Sequence, residues 1–321
     1  MVRSCRLYGL RLCSSPLAIL LLIVKCNKGL YRLIRKGYER KGSVTKQALQ
    51  DTAAFMLDRT ESFPAYCRRN GDEYRVFAAA PEGEPPADGW PVIYLLDATG
   101  SFATCVEALR RMSRRPDATG VSPAVIVGLS ANTGYDVARR QRDYTTVRPD
   151  TAASGEHGMA DVFLDFLESE VKPAVAGRFA VDPSRQTLCG HSLAGYFVLW
   201  ALVTRPQAFR NYAAISPSIW WDKEALLAGA SGLRENAARA FLTVGEWEGE
   251  LPPWQRNAPG SESVRARRKA RGMVEGTGEV AARLESALGA GNVGFLLLPE
   301  EDHASIISTA MPRVLRFASL R

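Results

Sequence analysis

The chain has 321 residues, 46% hydrophobic and 23% charged, with six cysteines. That balance excludes a wholly disordered or fibrous protein, and six scattered cysteines exclude a disulfide scaffold or zinc ribbon. The net charge of +7 comes from one end, because residues 1–50 hold eleven Lys/Arg against the single acid Glu39, while the rest holds 30 basic and 33 acidic residues. A slightly acidic body is not the basic surface of a nucleic-acid binder, so no nucleic-acid partner is expected.

The chain opens with Arg3, Arg6 and Arg11 ahead of an apolar run over 17–24. Eight apolar residues are too few for a span of ~20 and suit a signal-peptide core, although Lys25 follows at once and no small-residue cleavage site comes after it. Next, Leu30, Leu33, Ile34 and Tyr38 fall on one face of a basic helical pattern that could lie on an anionic membrane surface. Residues 1–50 therefore read as a basic leader, signal-like, membrane-surface or disordered, and residues 51–321 as the one folded domain, where any chemistry is expected to lie. A working leader implies a periplasmic or membrane-associated protein; otherwise the cytoplasm is expected.

The body alternates strands and helices. Residues 74–80 predict an early strand, closed by the turn-rich Pro81-Glu82-Gly83-Glu84-Pro85-Pro86. Apolar runs at 92–96 and 124–129 predict buried parallel strands, with further candidates at 185–189, 212–215, 241–244 and 293–298. Helices are predicted at 160–175, where Val162, Phe163, Phe166, Leu167 and Val171 share a face, at 195–202, at 265–288 with breaks near Gly272, Gly276 and Gly278, and at 311–320. This order predicts an α/β fold: a mostly parallel central sheet with helices on both faces.

One strand runs into Gly190-His191-Ser192-Leu193-Ala194-Gly195 and then a helix. That is the setting of a nucleophile elbow, a sharp turn that lifts the serine hydroxyl above the sheet. Side chains two before and two after the serine would strike neighbouring backbone, which explains Gly190 and the small Ala194. The amide of Leu193 opens the helix, where it can donate to a developing oxyanion.

Ser192 needs a base, and the body holds three histidines. His191 adjoins the nucleophile and is expected to point elsewhere, and His157 precedes the elbow in a Gly-rich loop. His303 follows the last strand and alone fits the order Ser, acid, His. The acid should follow the strand at 241–244, where Glu246, Glu248 and Glu250 compete. The strand-end glycine with an acid three residues on favours Glu248, and a Ser–His dyad is the alternative. The second oxyanion donor should come from the loop after 92–96, at the amides of Ala98 and Thr99.

With these residues in view, the chain resembles the esterase branch of the α/β-hydrolases, and within it the trilactone siderophore esterases of enterobactin and salmochelin type. The likeness spans about residues 50–321. It rests on Tyr94-Leu95-Leu96-Asp97, Arg142-Asp143-Tyr144-Thr145, Asp165-Phe166-Leu167 through Val171-Lys172-Pro173, the elbow, Ile215-Ser216-Pro217-Ser218-Ile219-Trp220-Trp221-Asp222, Val244-Gly245-Glu246 and His303-Ala304-Ser305. It departs from the family's usual pattern at Ala194, where a second glycine is common, and at Ala98-Thr99, where Gly-Asn is common. The resemblance implies serine-dependent ester hydrolysis with no metal or organic cofactor.

Around such a site, Arg142 could bind a substrate oxygen or instead pair with Asp143. Of Trp220 and Trp221, one is expected in the core and one on the pocket wall. Residues 265–271 place five cations in seven positions, a rim that would attract an anionic ferric siderophore. The expected partner is thus a small-molecule ester. An acyltransferase using the same residues, or a binding protein with a dead site, are the rival readings.

Overall fold

The computed structural model describes residues 56–147 and 157–320. The leader and the boundary placed at residue 51 lie outside them. Eight strands form one sheet: β1 (Thr60–Tyr66), β2 (Glu73–Ala79), β3 (Trp90–Leu96), β4 (Val125–Ala131), β5 (Val181–His191), β6 (Asn211–Ile215), β7 (Arg239–Gly245) and β8 (Val293–Leu298). Their spatial order is β1-β2-β4-β3-β5-β6-β7-β8, antiparallel through β1, β2 and β4 and parallel from β4 to β8.

The helices are α1 (Phe102–Met112), α2 (Val137–Asp143), α3 (160–176), α4 (Leu193–Thr204), α5 (Lys223–Ala230), α6 (Ser261–Arg271), α7 (Met273–Leu288) and α8 (Ile306–Ser319). They cover both faces. One core joins Tyr94, Val127, Leu188 and Leu242 to Phe163, Leu167, Phe197, Leu226 and Leu284. The other joins Ile93, Leu95, Ile126 and Phe241 to Val106, Leu109, Met311 and Val314. Period-two alternation thus splits each central strand between the two layers, which is why its sequence reads as continuously apolar. This is the α/β-hydrolase fold.

Three differences from the sequence reading have physical reasons. β1 was not predicted, because an edge strand that buries only Phe63 and Ala65 while exposing Glu61, Ser62 and Tyr66 carries too little apolar signal, and Pro64 argues against a strand except at an edge. β8 is also an edge, so Phe295, Leu296 and Leu297 stand 38–46% exposed instead of buried. The stretch 265–288 breaks only at Gly272, which adopts φ 49° between α6 and α7. Gly276 stays helical and lies close on Ile219, which a side chain there would meet at 2.9 Å, and Gly278 stays helical beside Phe295. Within α3, residues Leu167–Val171 form one π turn, and the helix continues through it.

Candidate active site

β5 is central and ends directly in α4, so Ser192 sits at the carboxyl edge of the sheet. Its backbone is forced to φ 61°, ψ −119°, outside the comfortable regions of a non-glycine residue. The neighbours explain how that turn closes. A side chain at Gly190 would come within 2.5 Å of the Ala194 carbonyl oxygen, and one at Gly195 within 3.0 Å of Pro217 Cα. Ala194 itself is fully buried and packs where a Gly190 side chain would stand, so its methyl is tolerated only because position 190 is glycine.

Ser192 Oγ lies 2.9 Å from His303 Nε2, and His303 Nδ1 lies 2.6 Å from Glu248 Oε2. An ionised Glu248 only accepts, so the ring carries its hydrogen on Nδ1, and Nε2 is left to accept the Ser192 hydroxyl. Burial works against charge on Glu248, which is 5% exposed, but the bonds from His303, Ser216 Oγ and the Gly245 amide outweigh it and hold the carboxyl below its ordinary range. Glu246 points elsewhere and accepts the Glu300 amide at 2.8 Å, bracing the loop that carries His303. The Trp247 amide donates to the Glu301 carbonyl in the same brace.

Of the two predicted amides after β3, only one remains open. Thr99 N–H donates to Ser130 Oγ at 3.1 Å, so Thr99 is not a free oxyanion donor. Ala98 and Leu193 donate their amides to no protein acceptor among the described residues. The turn over Ala98–Gly100 sits close on β4 because residue 128 is glycine; a side chain there would meet Ala98 Cβ at 2.5 Å. Asp97 enters this turn in the left-handed region, φ 55°, held by Arg140 Nε at 2.8 Å and Tyr144 Oη at 3.2 Å.

Arg142 takes the second of its two expected arrangements. It bonds Asp143 Oδ1 at 2.8 Å and Asp72, and lines neither cavity at Ser192. Two carboxylates fill its fork, so it anchors α2 to the loop before β2, the pairing that the sequence left open beside a substrate role. Arg140, two residues earlier, is the arginine of α2 that lines a cavity at Ser192. Trp220 is 41% exposed and lines the cavity beside Ser192, whereas Trp221 is buried against His157.

His191 was expected to point away, but its Nε2–H donates to the His303 carbonyl at 2.8 Å and the two rings lie 4.6 Å apart. Burial first, then the neighbouring His303, pushes its pKa down to about 4, so it is neutral near pH 7. Ser216 and Ser218 were also missed as participants. Ser216 supports Glu248, and Ser218 Oγ lies 3.4 Å from Ser192 Oγ. Their signal was the Ser216-Pro217-Ser218 run at a strand end, which carries no chemistry of its own until the fold places it.

A cavity of about 340 Å³ opens beside Ser192 and His303, walled by Trp220, Trp247, Arg267, Arg268 and Arg271. Among the described residues no group of three His, Cys, Asp or Glu is placed to hold a metal ion, and no helix is long and apolar enough to cross a membrane.

A hydroxyl raised at a strand–helix turn, an imidazole and a buried carboxylate at the carboxyl edge of a parallel sheet define the hydrolase class of this fold. The family model described as "Putative esterase" matches residues 68–282, and the chain belongs to that family. It is 43% identical over 187 residues to the ferri-bacillibactin esterase BesA of Bacillus subtilis, a match covering 54% of this chain and 63% of BesA. It is 34% identical over 238 residues to a siderophore triacetylfusarinine C esterase of Aspergillus fumigatus, covering 70% of this chain and 80% of that protein. Among solved structures, the BES protein of Bacillus cereus superposes with TM-score 0.71 at 31% identity, over 84% of this chain and 98% of the other.

Proposed function

We propose that this protein hydrolyses carboxylic esters through an acyl-enzyme on Ser192, and that its substrates are siderophore esters. The observation that carries this reading is the unbroken chain of contacts from Ser192 Oγ to His303 to Glu248. His303 Nε2 takes the hydroxyl proton as Oγ attacks the ester carbonyl. The tetrahedral oxyanion forms beside the amides of Leu193 and Ala98. Collapse breaks the carbon–alkoxide bond, and the alkoxide leaves with the proton from His303. Water then attacks the acyl-enzyme, gives its proton to His303, and the acid is released as Ser192 recovers its proton. Glu248 holds the ring in the required tautomer and stabilises the imidazolium formed in each half.

The named activities of BesA and of the Aspergillus esterase support a siderophore substrate. So does charge. Arg267, Arg268 and Arg271 face the same cavity as Ser192, where a ferric catecholate or similar anion would be drawn in. The test is incubation with ferric and iron-free trilactones beside simple aryl esters, with products read by mass spectrometry. Wild type is expected to open the lactones, and Ser192→Ala to lose about 10⁴-fold or more in kcat. Unchanged turnover in Ser192→Ala would remove the nucleophile assignment.

A further inference from the structure

Ser192 and His303 line two cavities. Besides the one against α6, a smaller void of about 150 Å³ lies between β3 and α8, and the two share only these two residues. We propose that the site is bipartite: the α6 cavity takes an anionic arm of the ester, and the cavity between β3 and α8 takes a short uncharged arm of the same molecule. This rests on the esterase reading above.

The two walls differ in chemistry. On the α6 side, Arg267 and Arg271 stand one helical turn apart and meet no carboxylate at ion-pair distance among the described residues. Like charges at that spacing repel in the empty protein, and an anion between them removes the repulsion. The Arg271 guanidinium lies 5.2 Å above the Trp220 ring, which also offers an aromatic face. On the β3 side, Leu95, Leu96, Ile307 and Met311 supply an aliphatic wall. The one arginine there, Arg140, is bonded to Asp97 and mostly buried, so it offers no free charge. His191 on that wall is neutral and already donates to the His303 carbonyl, and Tyr135 adds an uncharged ring under the Arg140 guanidinium.

An ionised group in that second void would be desolvated without a partner, at high cost. A short alkyl chain would not. A dry cavity of about this size, walled by aliphatic side chains, holds a group as large as benzene. An ester has two arms diverging from one reacting carbon. With that carbon at Ser192, where the two cavities meet, each arm has its own chamber, and the charge on α6 decides which arm goes where.

The fold offers a way to fill the small chamber without disturbing the core. Gly100 lines it, has an ordinary φ, and a side chain built there meets nothing within 4 Å. The experiment compares wild type, Gly100→Leu and Ile307→Ala on two ester series. In one, terephthalate carries methyl, butyl or hexyl as its single alcohol arm. In the other, hydroxymethylbenzoate carries an acetyl, butanoyl or hexanoyl arm.

In at least one series, Gly100→Leu is expected to lower the kcat/KM ratio of the longest to the shortest ester by about tenfold or more, the scale on which a pocket senses methylenes. Ile307→Ala is expected to raise that ratio. Arg271→Ala should weaken all the anionic esters alike and leave the ratio in place, because the chambers are separate. A ratio unmoved by both wall variants in both series, in an enzyme whose turnover needs Ser192, overturns the bipartite site and leaves the esterase reading standing. Absence of Ser192-dependent turnover in wild type overturns both.

Discussion

The two halves of the proposed reacting centre are held in different ways. The elbow is local: Gly190, Ser192, Ala194 and Gly195 lie within six residues, and the turn closes because two missing side chains let backbone approach backbone. The base and acid loops are held across the chain. Glu246 caps the Glu300 amide, Trp247 N–H bonds Glu301, and His191 reaches from the elbow to the His303 carbonyl, 112 residues away. Steric exclusion fixes Ser192, and a lattice of hydrogen bonds between distant segments fixes His303. The first should fail by not folding, the second by folding with a misplaced imidazole.

The largest effect expected on the hydrogen-bonded half is Glu248→Gln. The amide cannot hold Nδ1–H in the same tautomer, and kcat should fall by about 10⁴-fold while KM and the urea midpoint change little. Steady-state kinetics beside a denaturation curve measure this. A large drop in stability with intact kcat would reverse the distinction drawn above.

On the steric half, Gly190→Ala places a methyl 2.5 Å from the Ala194 carbonyl oxygen. Relieving that overlap should cost about 3 kcal/mol of stability, read from urea unfolding, with activity lost in proportion to folded protein. A variant as stable as wild type would show that the elbow is less tightly closed than these contacts imply.

The bridge between the halves gives a smaller, pH-dependent effect. The folded pKa of His191 is depressed to about 4 from an ordinary 6.5. Between those values the unfolded chain binds the extra proton, so its contribution to stability is complete above about pH 6.5 and is lost as pH falls toward 4. The loss should reach about 2–3 kcal/mol. The groups facing His191 are His303, Glu248 and Arg140. His191→Gln keeps a neutral donor and should remove this part of the pH slope while retaining most of kcat. His191→Leu should also flatten the slope but lose about tenfold in kcat, since nothing then holds the His303 carbonyl. Equal kinetics in the two variants would deny His191 any positioning role.

The same division explains what could be read from the sequence. The elbow declared itself because its constraint is contained in six consecutive residues after an apolar strand. His303 followed from order and elimination, and Glu248 from its spacing after a strand-end glycine. The Arg142–Asp143 pair was legible as neighbours in sequence, but Asp72, which takes the other half of the fork, lies 70 residues away and was not. His191 was misjudged because the acceptor of its proton is a main-chain carbonyl, and a carbonyl has no residue type to find. Thr99 failed for a related reason: Ser130, which takes its amide, comes from the neighbouring strand. β1 and the exposure of β8 depend on which strands end up at the edges, a property of the whole sheet.

The account turns on Ser192 passing its proton to His303 as it becomes acylated. Rapid-mixing kinetics with a p-nitrophenyl ester, followed by quench and peptide mass spectrometry, address this directly. The account predicts a burst of nitrophenol near one equivalent per active site, with the acyl group on the peptide containing Ser192, and no burst in His303→Ala. A linear release without burst in which no acylated peptide accumulates, together with full turnover in His303→Ala, would contradict it.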